Sequence, residues 1–96
     1  MFTNTQGKGF QMKFANGWAV SVQWGPGNYC DNRNASFRAW SDNPCSESMV
    51  ESTNAECAVF DPDGAMVNYF DGNETQVNGW MDAADVLALM NEVAAK

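Results

Sequence analysis

The sequence contains no histidine among its 96 residues. Histidine is the usual general base near neutral pH and the commonest zinc ligand in proteins. Its absence excludes catalysis by Ser-His or Cys-His pairs, and it leaves zinc without its preferred partner. We therefore expect a binding protein rather than an enzyme, and the sequence predicts no cofactor.

Cysteine is also scarce, because the chain has only Cys30, Cys45 and Cys57. The number is odd, and no Cys-x-x-Cys pair is present. Disulfide-rich domains and zinc sites both use paired cysteines at short, regular spacings. The pattern predicts reduced thiols that fill space in the fold.

Long apolar runs are missing as well. A helix that crosses a bilayer needs roughly 20 apolar residues in succession, and no such stretch occurs. The first residues, MFTNTQGKG, lack the apolar centre of a signal peptide. We expect a cytoplasmic protein that makes no contact with a membrane.

The composition nevertheless suits a folded domain. Hydrophobic residues make up 45% of the chain and aromatic residues 12%, whereas disordered chains are poor in both. A chain of 96 residues can bury one core but is too short for two. We predict a single domain over residues 1–96 that folds alone or as a small oligomer.

The net charge of −7 is distributed unevenly along the chain. Up to Ala39, four Lys and Arg residues oppose one Asp, a net of +3, and from Trp40 onward one Lys opposes eleven Asp and Glu, a net of −10. This segregation can build a bipolar surface, with one face that attracts anions and another that imitates them. An acidic coat that keeps a small protein soluble explains it equally well. With this overall charge, direct DNA binding is not expected.

Two hairpins are predicted from turn chemistry. Phe10, Met12 and Phe14 alternate with polar residues, Ala15-Asn16-Gly17 follows, and the chain returns from Trp18 to Trp24. Asn-Gly favours a hairpin because both residues tolerate positive φ. The apolar runs 55–60 and 65–70 flank Asp61-Pro-Asp-Gly64, which suits a type I turn followed by a bulge.

The remaining middle segments carry weaker patterns. Residues 35–40 suit a third short strand with Phe37 inward, and residues 42–54 suit a surface loop with a helical turn near Glu47 to Glu51. Val77 to Trp80 is expected to touch the sheet briefly.

The C-terminal segment carries the capping signals of a helix. Asp82 suits the N-cap, Asp85 completes a capping box, and Met81 can pack on Val86 as a staple. An apolar stripe consists of Val86, Leu89, Met90 and Val93, with Leu87 at its border. The stripe needs a sheet face to cover, which predicts an α+β fold with an antiparallel sheet of four to five strands closed by this helix. We expect it to cover the apolar face of the two hairpins, and the first hairpin in particular, at Phe10, Met12, Phe14, Trp18, Val20 and Val22.

Two acidic motifs suggest other chemistry. Asp61-Pro-Asp-Gly64 and Asp71-Gly-Asn-Glu74 contain the oxygen ligands that Ca²⁺ prefers, but neither has the spacing of an EF-hand. Turns use Asp, Asn and Gly for backbone reasons, so we interpret both as turns and predict no metal site. Paired carboxylates also occur in hydrolases, which keeps a small carboxylate-dependent hydrolase as a distant third hypothesis.

The stretch from Gly25 to Asn34, GPGNYCDNRN, holds the ingredients of a nucleotide site. Glycines offer free backbone amides, tyrosine stacks on a base, arginine pairs with phosphate, and asparagines can read a base edge. An ordinary loop of sharp turns uses the same residues and is slightly favoured, because no P-loop or GxGxxG spacing is present. The candidate ligand-binding residues are Trp24, Gly25, Gly27, Asn28, Tyr29, Arg33, Arg38 and Trp40.

The run from Gly9 to Cys30, GFQMKFANGWAVSVQWGPGNYC, together with Gly79-Trp80 and the C-terminal helix, resembles small uncharacterised proteins of tailed bacteriophages. Residues 35–54 lie outside the resemblance. It implies an accessory protein of the host bacterial cytosol, and such proteins often antagonise host defence. No site residues follow from it.

Two mechanisms of antagonism fit the residues. The basic, aromatic first part suits capture of an anionic nucleotide signal, which we favour because Tyr29, Arg33, Arg38 and Trp40 lie close together beside the glycine loop. The acidic second part suits an inhibitor that docks on a basic, nucleic-acid-binding surface of a host defence protein such as a CRISPR effector.

Overall fold

The chain folds into an antiparallel sheet with a C-terminal helix, which confirms the predicted α+β class. The computed structural model describes residues 1–5, 8–34, 51–70 and 76–96. Its strands are β1 (Phe2–Asn4), β2 (Gly9–Lys13), β3 (Ala19–Gln23), β4 (Ala55–Phe60), β5 (Met66–Val67) and β6 (Val77–Met81), and its helix is α1 (Ala83–Ala94).

Strand β4 lies at the centre of the sheet. The order is β1-β2-β3-β4-β5, and β6 also pairs with β4. Because β3 occupies one edge of β4 along its length, β5 and β6 share the other edge. Strand β6 thus extends over five residues of the sheet, where only a brief contact was predicted.

Both predicted hairpins form, and their turns share one geometry. In the first, the Gly17 amide donates to the Phe14 carbonyl at 3.0 Å and the Phe14 amide to the Trp18 carbonyl at 2.8 Å. This is a type I turn closed by a residue of positive φ, and Gly17 supplies that φ at 89°. Asn16 does not adopt positive φ, so only the glycine of the Asn-Gly pair uses that freedom.

The second hairpin is shorter than predicted on its return side. The Gly64 amide donates to the Asp61 carbonyl and the Asp61 amide to the Ala65 carbonyl, both at 2.9 Å, and Gly64 has φ 84°. The strand that follows is only Met66–Val67, although the apolar run continues to Phe70. One carboxylate oxygen of Asp61 accepts from the amides of Asp63 and Ala65, so the motif acts as a turn.

The helix begins as predicted. The Asp82 side chain accepts from the Asp85 amide at 2.9 Å, and the Asp85 side chain accepts from the Asp82 amide at 3.3 Å, which completes the capping box. This pairing satisfies two amides that have no partner within the helix.

The core lies between one face of the sheet and α1. Val20, Val59 and Val93 have no exposed surface, and Leu89 is 5% exposed. Fully burying each such side chain contributes roughly 1.5 to 3 kcal/mol.

The helix covers strands of both predicted hairpins and one further strand. Helix α1 contacts β3, β4 and β6, so it packs across the centre of the sheet rather than over the first hairpin alone. Met12 in β2 is absent from the core cluster, contrary to the prediction, whereas Phe10, Phe14 and Trp18 pack against it. Contact with β3 of the first hairpin and β4 of the second confirms the predicted packing on the hairpins, whereas the contact with β6 was not predicted.

Cys30 and Cys57 are free and buried, which confirms that they fill space. Burial raises the pKa of the Cys57 thiol from 9.0 to about 12, and the neighbouring Glu56 charge adds to the rise. A thiol held neutral in this way is a poor nucleophile.

Some predictions fall outside the described residues. They include the strand at 35–40, the loop at 42–50, the third cysteine and the turn at 71–74; residues 51–54 are irregular, as predicted. Within the four described ranges, no helix has the length and apolar character that spanning a bilayer requires.

Candidate ligand-binding site

The loop from Gly25 to Asn34 is held by its own hydrogen bonds. The Gly25 amide donates to Asn32 Oδ1 at 2.7 Å, and the Gly27 amide donates to the Arg33 carbonyl at 3.2 Å. Asn28 is buried, and its Nδ2 donates to the Trp24 carbonyl at 3.1 Å. The two glycine amides are therefore not free for a ligand, and that part of the nucleotide hypothesis was wrong.

Acceptors in the segment before β4 and in β4 itself fix the outer half of this loop. The Tyr29 amide donates to Glu56 Oε2 at 2.7 Å, and the Asp31 amide donates to Asn54 Oδ1 at 2.8 Å. Asn32 Nδ2 donates to the Glu51 carbonyl at 3.1 Å. The loop is thus tied to the central strand, which reduces the freedom of the side chains that it exposes.

A β-bulge in β6 lies beside Tyr29. Ala55 pairs with Met81 and Cys57 with Asn78, so Gly79 and Trp80 both lie opposite one residue of β4. Trp80 has φ 49°, the only positive φ of a non-glycine residue in the described chain. Bulges commonly redirect side chains near functional sites, and strained φ values cluster at such sites.

The bulge holds Tyr29 in place. The Trp80 amide donates to the Tyr29 carbonyl at 2.8 Å. A Cβ atom added to Gly79 would lie 2.4 Å from the Tyr29 Cβ and 2.8 Å from its carbonyl oxygen. Only glycine allows so close an approach at this position.

Three exposed side chains meet at this point, and we name them the Tyr29–Arg33–Trp80 cluster. The rings of Tyr29 and Trp80 have centroids 5.6 Å apart and are tilted by 33°. The Arg33 Cζ lies 4.8 Å from the Tyr29 centroid and 6.0 Å from that of Trp80. Tyr29 is 40% exposed and Trp80 53%, so both rings remain open to solvent.

Of the predicted site residues, the structure brings Tyr29 and Arg33 together. Trp24 packs against the core instead, and the roles of Gly25, Gly27 and Asn28 are internal to the loop. Arg38 and Trp40 lie outside the described residues.

Trp80 was missed as a site residue. A glycine before an aromatic residue within a strand is a signal for a bulge, and Gly79-Trp80 carried that signal.

Trp80 also lines a polar cavity of about 550 Å³ between β6 and α1. The cavity wall includes Tyr69, Asn78 and two helix carboxylates, Asp85 and Glu92. The Tyr69 hydroxyl donates to Glu92 Oε1. Desolvation, followed by this hydrogen bond and the Glu92 charge, raises the pKa of Tyr69 to about 12.

A larger cavity of about 890 Å³ lies on a different face of α1 and is mainly apolar. Phe10, Trp24, Val86 and Met90 are among the residues that line it. It does not include Tyr29 or Arg33, so it is separate from the cluster.

No group of three potential metal ligands among His, Cys, Asp and Glu occurs in the part of the chain that the structure describes. The chain matches no family model, no curated protein and no solved structure. The interpretation of the site therefore depends on the geometry and chemistry of its own residues.

Proposed function

We propose that this protein is a non-enzymatic binding protein whose Tyr29–Arg33–Trp80 cluster captures an anionic nucleotide. The observation that carries the proposal is the contact of two exposed aromatic rings with one guanidinium group. Aromatic rings stack on bases for roughly 1 to 3 kcal/mol per base, and an arginine fork donates two parallel hydrogen bonds to a phosphate.

The rigidity of the cluster supports the same function. Tyr29 is held by its amide, by its carbonyl and by contact with Gly79, so little main-chain freedom remains to be lost on binding. Preorganisation of this kind raises affinity without adding contacts. The guanidinium of Arg33 forms no ion pair with a carboxylate of the described residues, which leaves its charge for a ligand.

The chemistry near the cluster favours binding over catalysis. Glu56 accepts a hydrogen bond from the Tyr29 amide, and the Asp31 carboxylate accepts one from the Thr53 hydroxyl. Both carboxylates thus have a structural role, and the chain lacks histidine as a general base. On the resemblance to phage proteins, the proposed ligand is a nucleotide signal of host defence, which the protein would sequester.

Thermal shift assays test the proposal with cyclic dinucleotides, ADP-ribose derivatives and nucleoside monophosphates. A ligand of the native state raises Tm with its concentration relative to its Kd. We expect at least one nucleotide to raise Tm, and Arg33→Ala and Tyr29→Ala each to abolish the rise while leaving the unliganded Tm nearly unchanged.

Lys13→Ala is the matched control, because Lys13 is an exposed cation on β2 outside the cluster. This variant should respond to nucleotide as the wild type does. A panel that produces no shift in the wild type, or a shift that persists in Arg33→Ala, contradicts nucleotide capture.

A second candidate function is docking on a basic surface of a host protein. It is supported by three exposed carboxylates on or beside α1, at Asp82, Asp85 and Glu92. Association through exposed charges weakens steeply with salt, because screening acts over about 8 Å at physiological ionic strength. A host protein retained from bacterial lysate should therefore be released by salt, and Glu92→Lys should slow its association. Retention that is indifferent to both changes contradicts this function.

A further inference from the structure

Trp80 lies between one cationic group, the Arg33 guanidinium, and a cavity that holds two helix carboxylates. Its ring lies 6.0 Å from the Arg33 Cζ, and it also lines the cavity that contains the Asp85 and Glu92 carboxylates. A ligand whose ring stacks on Trp80 therefore has a cation available for an anionic group and carboxylates available for hydrogen-bond donors. This polarity restricts which nucleotide fits.

Each of the two carboxylates retains capacity to accept hydrogen bonds. Asp85 Oδ2 accepts from the Asp82 amide and Glu92 Oε1 accepts from the Tyr69 hydroxyl, whereas the second oxygen of each carboxylate has no hydrogen bond to a described residue. An ionised carboxylate only accepts, through two oxygens that suit a pair of adjacent donors.

We infer that the captured nucleotide carries guanine, an inference that rests on the proposed function of the cluster. The Watson–Crick edge of guanine presents two adjacent donors, N1–H and the 2-amino group. These match the two oxygens of one carboxylate, because the oxygen that already accepts one hydrogen bond has a second lone pair. Adenine and cytosine present a ring-nitrogen acceptor beside their amino group, and uracil presents carbonyl oxygens on both sides of its N3–H. Each of these edges places a lone pair against the carboxylate.

The proposed arrangement places the base on the ring of Trp80, its donor edge towards Asp85 or Glu92, and its phosphate towards Arg33. Charge-assisted hydrogen bonds to a carboxylate are about twice as strong as neutral ones. Removing the 2-amino group should therefore weaken binding by about ten-fold, and replacing it by an oxygen should weaken binding further.

A fluorescence titration with GMP and IMP tests the inference, because the two nucleotides differ only in the 2-amino group. XMP, which has an oxygen at position 2 and a proton on N3, serves as a third ligand. AMP serves as a fourth ligand that shares the sugar and phosphate. We expect Kd to rise about ten-fold from GMP to IMP and to be highest for XMP. Glu92→Gln or Asp85→Asn should remove most of the difference between GMP and IMP. Asp63→Asn, which neutralises a turn carboxylate outside the cavity, should leave it intact.

The outcomes separate the two proposals. Equal binding of GMP, IMP, XMP and AMP overturns the guanine inference and leaves nucleotide capture standing. A preference for GMP that persists in Glu92→Gln, in Asp85→Asn and in the double variant also overturns it, because the carboxylates would not be its source. If none of the four nucleotides binds, and no nucleotide of the wider panel raises Tm, both proposals are overturned. Unliganded melts of each variant show whether a loss of binding is a loss of fold.

Discussion

The side-chain amide of Asn16 donates a hydrogen bond of 3.0 Å to the carbonyl oxygen of Val93. It also reaches the carbonyls of Ala94 at 3.3 Å and Lys96 at 3.2 Å, while its Oδ1 accepts from the Trp18 amide at 3.0 Å. The last carbonyls of a helix have no partner within the helix. A residue in the turn of the first hairpin thus caps the C-terminus of α1.

Asn16→Asp should destabilise the protein more than its charge alone explains. The substitution removes the donors and places a carboxylate against carbonyl oxygens at the negative end of the helix dipole. We expect the free energy of unfolding to fall by about 1 to 3 kcal/mol. Asn91→Asp adds the same charge to an exposed position of α1 and should cost about 0.3 to 1 kcal/mol. Equal losses in urea melts of both variants would contradict the capping role.

Leu89 and Leu87 provide a matched pair on the same helix, since they are 5% and 61% exposed. Leu89→Ala should lower the free energy of unfolding by about 2 to 5 kcal/mol, because it leaves a cavity between α1 and the sheet. Leu87→Ala should change it by less than about 0.5 kcal/mol. Denaturant melts of both variants test this prediction. A loss below about 1 kcal/mol for Leu89→Ala would contradict the packing of Leu89 between α1 and the sheet.

Gly79→Ala should separate the rings of the cluster. The new Cβ would lie 2.4 Å from the Tyr29 Cβ, so Tyr29 must move away from β6 at a cost of roughly 1 to 3 kcal/mol. Near-UV circular dichroism should report the lost contact with Trp80. Gly25→Ala is the control, because its Cβ meets nothing within 4 Å and only its φ of 98° is strained. That variant should lose stability yet keep the ring signal, and a preserved signal in Gly79→Ala would count against the packing described.

Stability should fall as pH rises from about 9 to about 12. The Cys57 thiol ionises near 9.0 in the unfolded chain and near 12 in the fold, so in this interval the unfolded state binds fewer protons. The pKa of Tyr69, which is raised from 10.0 to about 12, adds to the loss of stability in the upper part of this pH range. Urea melts across this pH range should show the loss of stability. In Cys57→Ala, the free energy of unfolding should depend less on pH below pH 10. A slope unchanged in Cys57→Ala would remove the thiol from the explanation.

Local chemistry made much of the fold predictable. The turns at Gly17 and Gly64 and the capping box of Asp82 and Asp85 depend on residues close together in sequence, and all three form as predicted. The extent of β6 was harder to predict, because its pairing with β4 depends on residues about twenty positions away.

The candidate site was only half predictable for the same reason. Tyr29 and Arg33 belong to one loop, so their proximity follows from the sequence. Trp80 joins them because two residues of β6 face one of β4, which is a property of strand register rather than of local pattern. The hydrogen bonding of the glycine amides could not be predicted either, because the acceptor for the Gly25 amide is the side chain of Asn32, seven residues away.

The most direct test of the cluster as a ligand site is an NMR spectrum of the indole N–H groups in the isotope-labelled protein. The chain has four tryptophans, and Trp80→Phe assigns the signal of interest by its loss. On titration with GMP, followed by AMP, CMP and UMP, we predict that the Trp80 signal shifts with saturation while those of Trp18 and Trp24, which pack against the core, move little. A Trp80 signal that stays fixed under all four nucleotides would contradict nucleotide binding at the Tyr29–Arg33–Trp80 cluster.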